Sequence, residues 1–395
     1  MLACYNKASL MPTSRFLSRV GVPQLGALLL LLLFLIQCLW FIARVPVTSI
    51  EGSYIEDGLV QLDKLESASS EERSPLVPLL GALPVKLFAN NIRFSQLSEY
   101  RLLVRLPFLF CGTMLGASLW YVARRLYGNI GGFIALSLYS FSPLMITRAS
   151  QVQNDIVAAW GAFGLIFTAI AVAHTLYAPR EVVLWNWRRI VLLGISIAIC
   201  VGAQFSLWIL LLVALGFLLW VGQLRQAAAI VIFLAACVIA IMFLWGLYGF
   251  HPVLFAHALG NANWFEFSSR QVSSKLIYQL IGQFFLQVGL GPLVLIVGCL
   301  VIFAVWKHTR FFGTAAPLIS AAVLVLATLG AEHSSGVLFL FVSLPFLILF
   351  VSGVAVDLFE TKYAVLANAV IVGALIANAI LDVYGLMELR PFGVR

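Results

Sequence analysis

The sequence predicts an all-α protein, a polytopic bundle of about 11 membrane-spanning helices with a long first extracytoplasmic loop that carries short interfacial helices. Of its 395 residues, 62% are hydrophobic and only 10% are charged, whereas soluble domains are about half apolar and about a quarter charged. The apolar residues gather in runs of roughly twenty, the length that a helix needs to cross about 30 Å of hydrocarbon. These two observations exclude a soluble enzyme. We expect one transmembrane domain over residues 1–395, with no separate soluble domain.

The apolar runs are clearly separated except at one place. Residues 189–222 form a single apolar stretch that is interrupted only by Gly202, Gln204 and Ser206, so a tight hairpin is assumed there. The predicted spans are 23–44, 103–123, 129–148, 156–178, 189–204, 206–222, 226–249, 278–305, 313–331, 336–356 and 364–381.

Positive charge is distributed as in a protein whose N-terminus is cytoplasmic. If residues 1–22 are a cytoplasmic tail and the spans alternate, every inside loop carries a Lys or an Arg, for example Arg124 and Arg125. This pattern obeys the positive-inside rule and places the two long loops, 45–102 and 250–277, outside. The net charge of +8 therefore indicates contact with the bilayer, and no nucleic-acid partner is expected.

The first outside loop begins with a cluster of acids directly after the first span. The stretch "SIEGSYIEDG", residues 49–58, contains Glu51, Glu56 and Asp57. An acid at the bilayer centre costs about 2.5–3.5 kcal/mol on insertion scales, and a position at the edge avoids that cost. Later in the same loop, residues 74–88 are too short and too rich in proline to span the membrane, and they are consistent with a helix at its surface.

A second polar group is predicted at the same membrane boundary. Arg148 and the pair Asn154 and Asp155 lie between the third and fourth spans. Because the first loop starts at this boundary too, the two groups could converge in space. A simpler interpretation is that Asn154 or Asp155 caps the N-terminus of the fourth span.

In this region the sequence resembles the GT-C glycosyltransferases, in particular the protein mannosyltransferases and the bacterial aminoarabinose transferases. The stretch "EYRLLVRLPFLFCGTMLGASLWYVARRLYGNIGGFIALSLYSFSP", residues 99–143, looks like the core of that family. The resemblance covers roughly residues 45–175, and the rest of the chain fits only as a helical bundle. The residues that match the family's motifs, in the family's order, are Glu51, Pro75 and Leu76, Phe88 and Ala89, Arg105 and Pro107, 121–128, Ser142 and Pro143, Arg148 and Asp155.

The resemblance implies a membrane glycosyltransferase with a polyprenyl-phosphate sugar as donor and a lipid, glycan or protein as acceptor. Transfer would take place at the outer, periplasmic face of a bacterial inner membrane, typically with inversion. A carboxylate would take the proton from the attacking acceptor, and cations would stabilise the departing lipid phosphate. No cofactor is implied, and a need for a divalent metal stays open. The spacing of His251, His257 and Glu266 fits no standard metal site.

The sequence departs from the family at the position expected for the catalytic Asp. The family has Asp-Glu followed two residues later by Tyr, and alignment on Tyr54 places Glu51 under the Glu and Ile50 under the Asp. Three interpretations remain. Glu51 is the base, or Glu56 or Asp57 serves through a shifted loop, or catalysis has been lost.

The candidate substrate-binding residues are mostly cations on the outer side. Arg105 has the better claim because it matches the family's Arg-x-Pro, although any one cation could also be a lipid headgroup anchor or a solvated charge. Asp155 is implied to line the donor or acceptor site. The full set is Tyr54, Arg73, Lys86, Arg105, Arg148 and Asp155.

Two other classes of function are compatible with this composition. A transporter or lipid flippase usually has polar groups at mid-membrane, but the predicted spans hold little beyond Gln37, Gln204 and Gln283, which argues against ion coupling. A non-catalytic membrane protein that has kept the fold is the other alternative, and Ile50 favours it.

Overall fold

The described part of the chain is entirely helical apart from turns and short connections. The computed structural model describes residues 21–64, 76–88, 99–176, 187–260, 282, 288–306, 311–330 and 333–388. Within these ranges the chain forms 14 α-helices and no strand, which confirms the predicted fold class. They are α1 Val22–Arg44, α2 Ser49–Lys64, α3 Leu76–Phe88, α4 Arg101–Ser140, α5 Pro143–Ala149, α6 Asn154–Thr175, α7 Trp187–Ala203, α8 Ile209–Val221, α9 Gln226–Leu247, α10 Pro252–Gly260, α11 Leu290–Val305, α12 Phe311–Gly330, α13 His333–Phe359 and α14 Ala364–Glu388.

Six of these helices are long and apolar enough to cross a membrane, and the chain is an integral membrane protein. The six are α1, α4, α6, α9, α13 and α14, and shorter apolar helices lie between them. The six helices differ widely in how much of them is buried. In the most apolar 18-residue stretch of α13, 94% of the residues are buried, but in that of α14 only 17% are. Helix α13 therefore forms the centre of the bundle, where it packs against α4, α6 and α12, while α14 lies at its edge.

The predicted break between the second and third spans is a sharp kink at Gly128, where α4 folds back on itself. Its two halves pack against each other, because Tyr139 Oη donates to the carbonyl oxygen of Gly112 at 2.6 Å. Gly128 has φ 81° and ψ −174°, a conformation that is essentially restricted to glycine. An added Cβ at Gly128 would meet nothing within 4 Å. The backbone conformation alone therefore requires glycine here.

Two predicted spans were wrong in their bounds. The predicted span 129–148 is broken, because α4 ends at Ser140 and α5 starts at Pro143, which occupies the first turn where its missing N–H costs nothing. The last predicted span, 364–381, continues to Glu388. The start of the predicted span 278–305 stays a prediction, because residues 278–281 and 283–287 lie outside the described residues; the described helix α11 begins at Leu290, after Gly289 with φ 87°.

The segment 45–102 contains two short helices, of which α3 coincides with the helix predicted within residues 74–88. Helices α2 and α3 pack against each other, and α3 also packs on α4 and α7. The two helices are in close contact at Gly58, where an added Cβ would lie 2.1 Å from the carbonyl oxygen of Pro78. Helix α3 also contacts the segment before α6, since an added Cβ at Gly81 would lie 3.1 Å from Val152. This helical pair therefore covers the end of the bundle where α1 ends and α4 begins.

Candidate active site

The two polar groups singled out in the sequence do meet at one end of the bundle. Glu51, in the first turn of α2, accepts a hydrogen bond from the backbone N–H of Val152 at 2.9 Å. Val152 lies between α5, which carries Arg148, and α6, which carries Asp155. The segments that follow α1 and α5 are thus tied directly to each other.

An ion pair between Glu51 and Arg105 forms the centre of this network. Arg105 Nε donates to Glu51 Oε1 at 2.9 Å and Arg105 Nη2 donates to Glu51 Oε2 at 2.7 Å. This two-point geometry is the strong form of an Arg–carboxylate contact. Both side chains are 0% exposed, and Arg105 also donates to the carbonyl oxygens of Val45 and Pro46 at 2.9 and 2.8 Å. Arg105 therefore fixes the turn between α1 and α2 against the start of α4.

Glu51 is also part of the N-terminal cap of α2. The backbone N–H and the hydroxyl of Thr48 donate to Glu51 Oε2 at 2.8 and 3.2 Å, and the Glu51 N–H donates to Thr48 Oγ1 at 3.3 Å. This reciprocal pattern is a capping box. Its signature, Thr-x-x-Glu at 48–51, is visible in the sequence and was missed. Together with the bonds from Arg105 and Val152, the buried carboxylate accepts five hydrogen bonds. The base role predicted for Glu51 stays a prediction, but these contacts favour a role in positioning.

Arg148 and Asp155 form a second ion pair, which is more accessible. Arg148 Nη1 lies 2.7 Å from Asp155 Oδ2, and the Arg148 side chain is 20% exposed. Arg148 also donates to the side-chain oxygen of Gln153. The N-cap position of α6 is held by Gln153, so the alternative in which Asn154 or Asp155 caps this helix is wrong. Asn154 instead donates to Gln204 Oε1 at 2.8 Å, which links α6 to the break after α7.

The remaining predicted site residues lie along α2 and α3. Tyr54 is half-buried against the core, Glu56 is exposed and Asp57 is buried. Lys86 donates to the carbonyl oxygen of Leu62 at 2.8 Å, which ties α3 to the end of α2. Arg73 lies outside the described residues.

Ile50 is 55% exposed although it directly precedes the buried Glu51. Because residues seven apart lie on the same face of a helix, Ile50 and Asp57 share a face of α2. Glu56 lies on a different face. The resemblance assigns the catalytic Asp to position 50. Of residues 50 and 51, position 50 is the accessible one, and in this chain it carries the apolar Ile50.

No metal site was found in the ranges that the structure describes. No three His, Cys, Asp or Glu side chains come together there in a way that could hold a metal ion. Of the three residues considered in the second long loop, Glu266 lies outside the described residues, and His251 is exposed.

Sequence comparison finds no match, but structural comparison finds proteins with a similar fold. No protein-family model and no curated protein matches the chain. ArnT from Cupriavidus metallidurans bound to undecaprenyl phosphate is similar with a TM-score of 0.59 and 13% identity, over 95% of this chain and 76% of that one. Its apo state gives a TM-score of 0.53 with 15% identity, over 93% and 74%.

An archaeal enzyme is similar as well. The oligosaccharyltransferase of Archaeoglobus fulgidus, in complex with zinc and sulfate, has a TM-score of 0.56 and 13% identity over 91% of this chain. The present chain spans about half of the length of that enzyme, 53%. These neighbours are GT-C glycosyltransferases, and at this level of identity the likeness concerns the fold. The chain therefore has the GT-C glycosyltransferase fold.

Proposed function

We propose that this chain is a membrane glycosyltransferase that transfers a sugar from a polyprenyl-phosphate donor at the periplasmic face of a bacterial inner membrane. The observation that carries the proposal is the meeting of the acidic turn after α1 with the segment 148–155 at one end of the bundle, through the Glu51–Val152 hydrogen bond. The similar fold of ArnT, whose structure was solved with undecaprenyl phosphate, supports a lipid phosphate as the carrier of the donor sugar. The acceptor is a lipid, a glycan or a protein.

Arg148 is the cation best suited to contact the phosphate of the donor. Its guanidinium is partly exposed and is oriented by Asp155 and Gln153, and a guanidinium matches the oxygens of a phosphate well. Arg105, in contrast, is fully buried and already donates to Glu51, Val45 and Pro46. In our proposal Arg148 stabilises the charge that develops on the leaving phosphate, and Arg105 holds the turn in place.

Asp57 is the carboxylate that we assign as general base. It lies on the same face of α2 as Ile50, two helical turns further on, which is about 10 Å along the axis. In this proposal Glu51 has a structural role, because its carboxylate oxygens already accept hydrogen bonds from within the protein. The base would take the proton of the acceptor as it attacks the anomeric carbon, while the sugar–phosphate bond breaks and the electron pair leaves with the polyprenyl phosphate.

A comparison of carboxylate variants tests these roles. The purified protein is supplied with a panel of polyprenyl-phosphate sugars, and sugar release or transfer is measured beside thermal unfolding. Removal of a general base costs about 10²–10⁴-fold in rate, so we expect such a loss in Asp57→Asn when activity is compared per folded molecule. Glu388→Gln, an exposed acid at the end of α14, is the matched control and should stay fully active.

A variant of Glu51 distinguishes between Asp57 and Glu51 as the general base. We expect Glu51→Gln to lower the unfolding temperature, with activity falling in proportion to the folded fraction. Loss of activity at full stability in Glu51→Gln, together with full activity in Asp57→Asn, would return the base role to Glu51.

A non-catalytic membrane protein with the same fold is the second candidate. Its support is the exposed Ile50 at the position where the family carries its catalytic Asp. This candidate predicts that no donor in the panel is consumed by the wild-type protein, even though polyprenyl phosphate still binds.

A further inference from the structure

Helix α14 buries two polar side chains against the rest of the protein. Of its 25 residues only Ile371, Asn378 and Asp382 are buried. Their spacing of seven and four residues places them on one face of the helix, and the large side chains on the other faces are exposed and apolar. A helix at the edge of a membrane bundle would be expected to bury apolar or small residues. A buried Asp within such a helix indicates a functional site by default.

Gln37 of α1 lies at the same level as Asp382. The indole Nε1 of Trp40 donates to the carbonyl oxygen of Leu386 at 3.1 Å, which joins α1 to α14. Gln37 precedes Trp40 by three residues and Asp382 precedes Leu386 by four, so each lies one turn from this contact on the same face of its helix. Asp382 is also close enough to act electrostatically on Cys38, the neighbour of Gln37.

The polar atoms at this level lack partners among the described residues. Both carboxylate oxygens of Asp382 and both polar atoms of the Gln37 amide are buried without a hydrogen bond, as are the hydroxyls of Ser140 and Ser142. Gln37 and Asp382 are only 6% and 2% exposed. Each such group costs several kcal/mol in an apolar environment unless it is satisfied. A cluster of them indicates a ligand that satisfies several at once.

The two serines mark the break between α4 and α5, which lies beside this cluster. Asn378, one turn from Asp382, donates to the carbonyl oxygen of Phe141 at 2.6 Å, and Phe141 follows the last residue of α4. The C-terminal end of a helix carries a partial negative charge. A carboxylate next to such an end is unfavourable in a low dielectric unless it takes up a proton or a positive charge lies between them.

We propose that Asp382, Gln37, Ser140 and Ser142 form an intramembrane binding site for a monovalent alkali cation of the size of Na⁺. The available ligands are oxygens of a carboxylate, an amide and two hydroxyls, which are the donors that hard cations take. One carboxylate balances one positive charge, whereas a divalent ion would keep a net charge inside the membrane. A broken helix whose C-terminal end faces the ion is a known way to bind Na⁺ in membrane proteins. The site is independent of the proposed transferase activity.

Thermal unfolding of the purified full-length chain tests this proposal. Unfolding is followed in NaCl, LiCl, KCl and N-methyl-D-glucamine chloride at constant ionic strength and pH. Because a ligand of the folded state stabilises it in proportion to the logarithm of its concentration, we expect the midpoint to rise with Na⁺ in the wild type. The response should vanish in Asp382→Asn. Asp357→Asn is the matched control, because Asp357 is a buried acid of α13 that has an interaction partner within the protein.

Binding of radioactive ²²Na⁺ gives a second, direct readout. We expect Gln37→Leu and Ser142→Ala to fold and to bind Na⁺ at least about tenfold more weakly, because even outer-shell changes typically cost 10–100-fold in metal affinity. Equal responses to all four cations would overturn the proposal. So would a Na⁺ response that persists in Asp382→Asn, or unchanged ²²Na⁺ affinity in both Gln37→Leu and Ser142→Ala.

Discussion

Removal of the Glu51 carboxylate should destabilise the whole end of the bundle. In Glu51→Ala, the guanidinium of Arg105 stays in its buried position, 0% exposed. It loses the only contacts with a carboxylate that it makes among the described residues. The change also removes one half of the capping box with Thr48 and the acceptor for the N–H of Val152. Three segments that meet here, before α2, at the start of α4 and before α6, would then be held together less firmly.

The size of the effect follows from these contacts. Breaking a buried ion pair by removing one partner costs about 3–5 kcal/mol, because a buried charge is left unpaired. Loss of a helix cap adds about 0.5–2 kcal/mol. We therefore expect Glu51→Ala to lose about 3.5–7 kcal/mol, a large part of the about 5–15 kcal/mol that stabilises a typical domain.

A double-mutant cycle in thermal or denaturant unfolding checks this estimate. The pair Glu51→Leu and Arg105→Leu should be less destabilising together than the sum of the single changes, because the double variant leaves no buried charge. If Glu51→Ala unfolds at the wild-type temperature, or if the two changes are simply additive, the carboxylate does not hold this network and the argument against Glu51 as base fails.

Three further changes have expected outcomes. Gly58→Ala should destabilise the protein by about 1–3 kcal/mol through overpacking, since its Cβ would lie 2.1 Å from the Pro78 carbonyl oxygen. Gly216→Ala in α8 is the neutral control, because an added Cβ there would meet nothing within 4 Å. Equal unfolding temperatures of the two variants would contradict the close packing of α2 on α3. Gly128→Ala should cost about 1–3 kcal/mol through backbone strain alone, because its φ is 81° and its Cβ has free space; a stability equal to that of the wild type would show that the kink is absent. Arg148→Ala should lower kcat/KM for the lipid-linked donor by about tenfold, the loss of one charge-assisted hydrogen bond of about 1.5 kcal/mol. Activity is compared per folded molecule, because the change also takes Arg148 away from the buried Asp155. An unchanged kcat/KM would remove Arg148 from the donor site.

The fold class and the order of helices could be predicted because hydropathy reports burial in lipid directly. The helix predicted within residues 74–88 is α3, whereas no helix was placed at residues 49–64, where α2 lies. The break predicted between residues 123 and 129 is the kink at Gly128. The break at Ser142 and Pro143 was missed, because its flanks are apolar and their average hydropathy conceals an interruption of two residues.

The candidate site was predicted as a set of residues but not as a set of contacts. The meeting of the first loop with residues 148–155 follows from their common membrane boundary. That Glu51 is buried and Ile50 exposed depends on the direction of the first turn of α2, which the capping box sets. Asp382 was left outside the last span, because the apolar run was ended at residue 381. The intramembrane acid that argues for an ion site was therefore not recognised.

The most direct test of the central proposal measures the fate of the donor. The purified protein is reconstituted in liposomes with a panel of polyprenyl-phosphate sugars, and the free polyprenyl phosphate and the glycosylated acceptor are quantified by mass spectrometry. The proposed function predicts that one donor is converted to polyprenyl phosphate with the sugar on an acceptor, and that Asp57→Asn abolishes the conversion. Intact donors throughout, with a correctly folded protein that still binds polyprenyl phosphate, would contradict catalysis and favour the non-catalytic candidate.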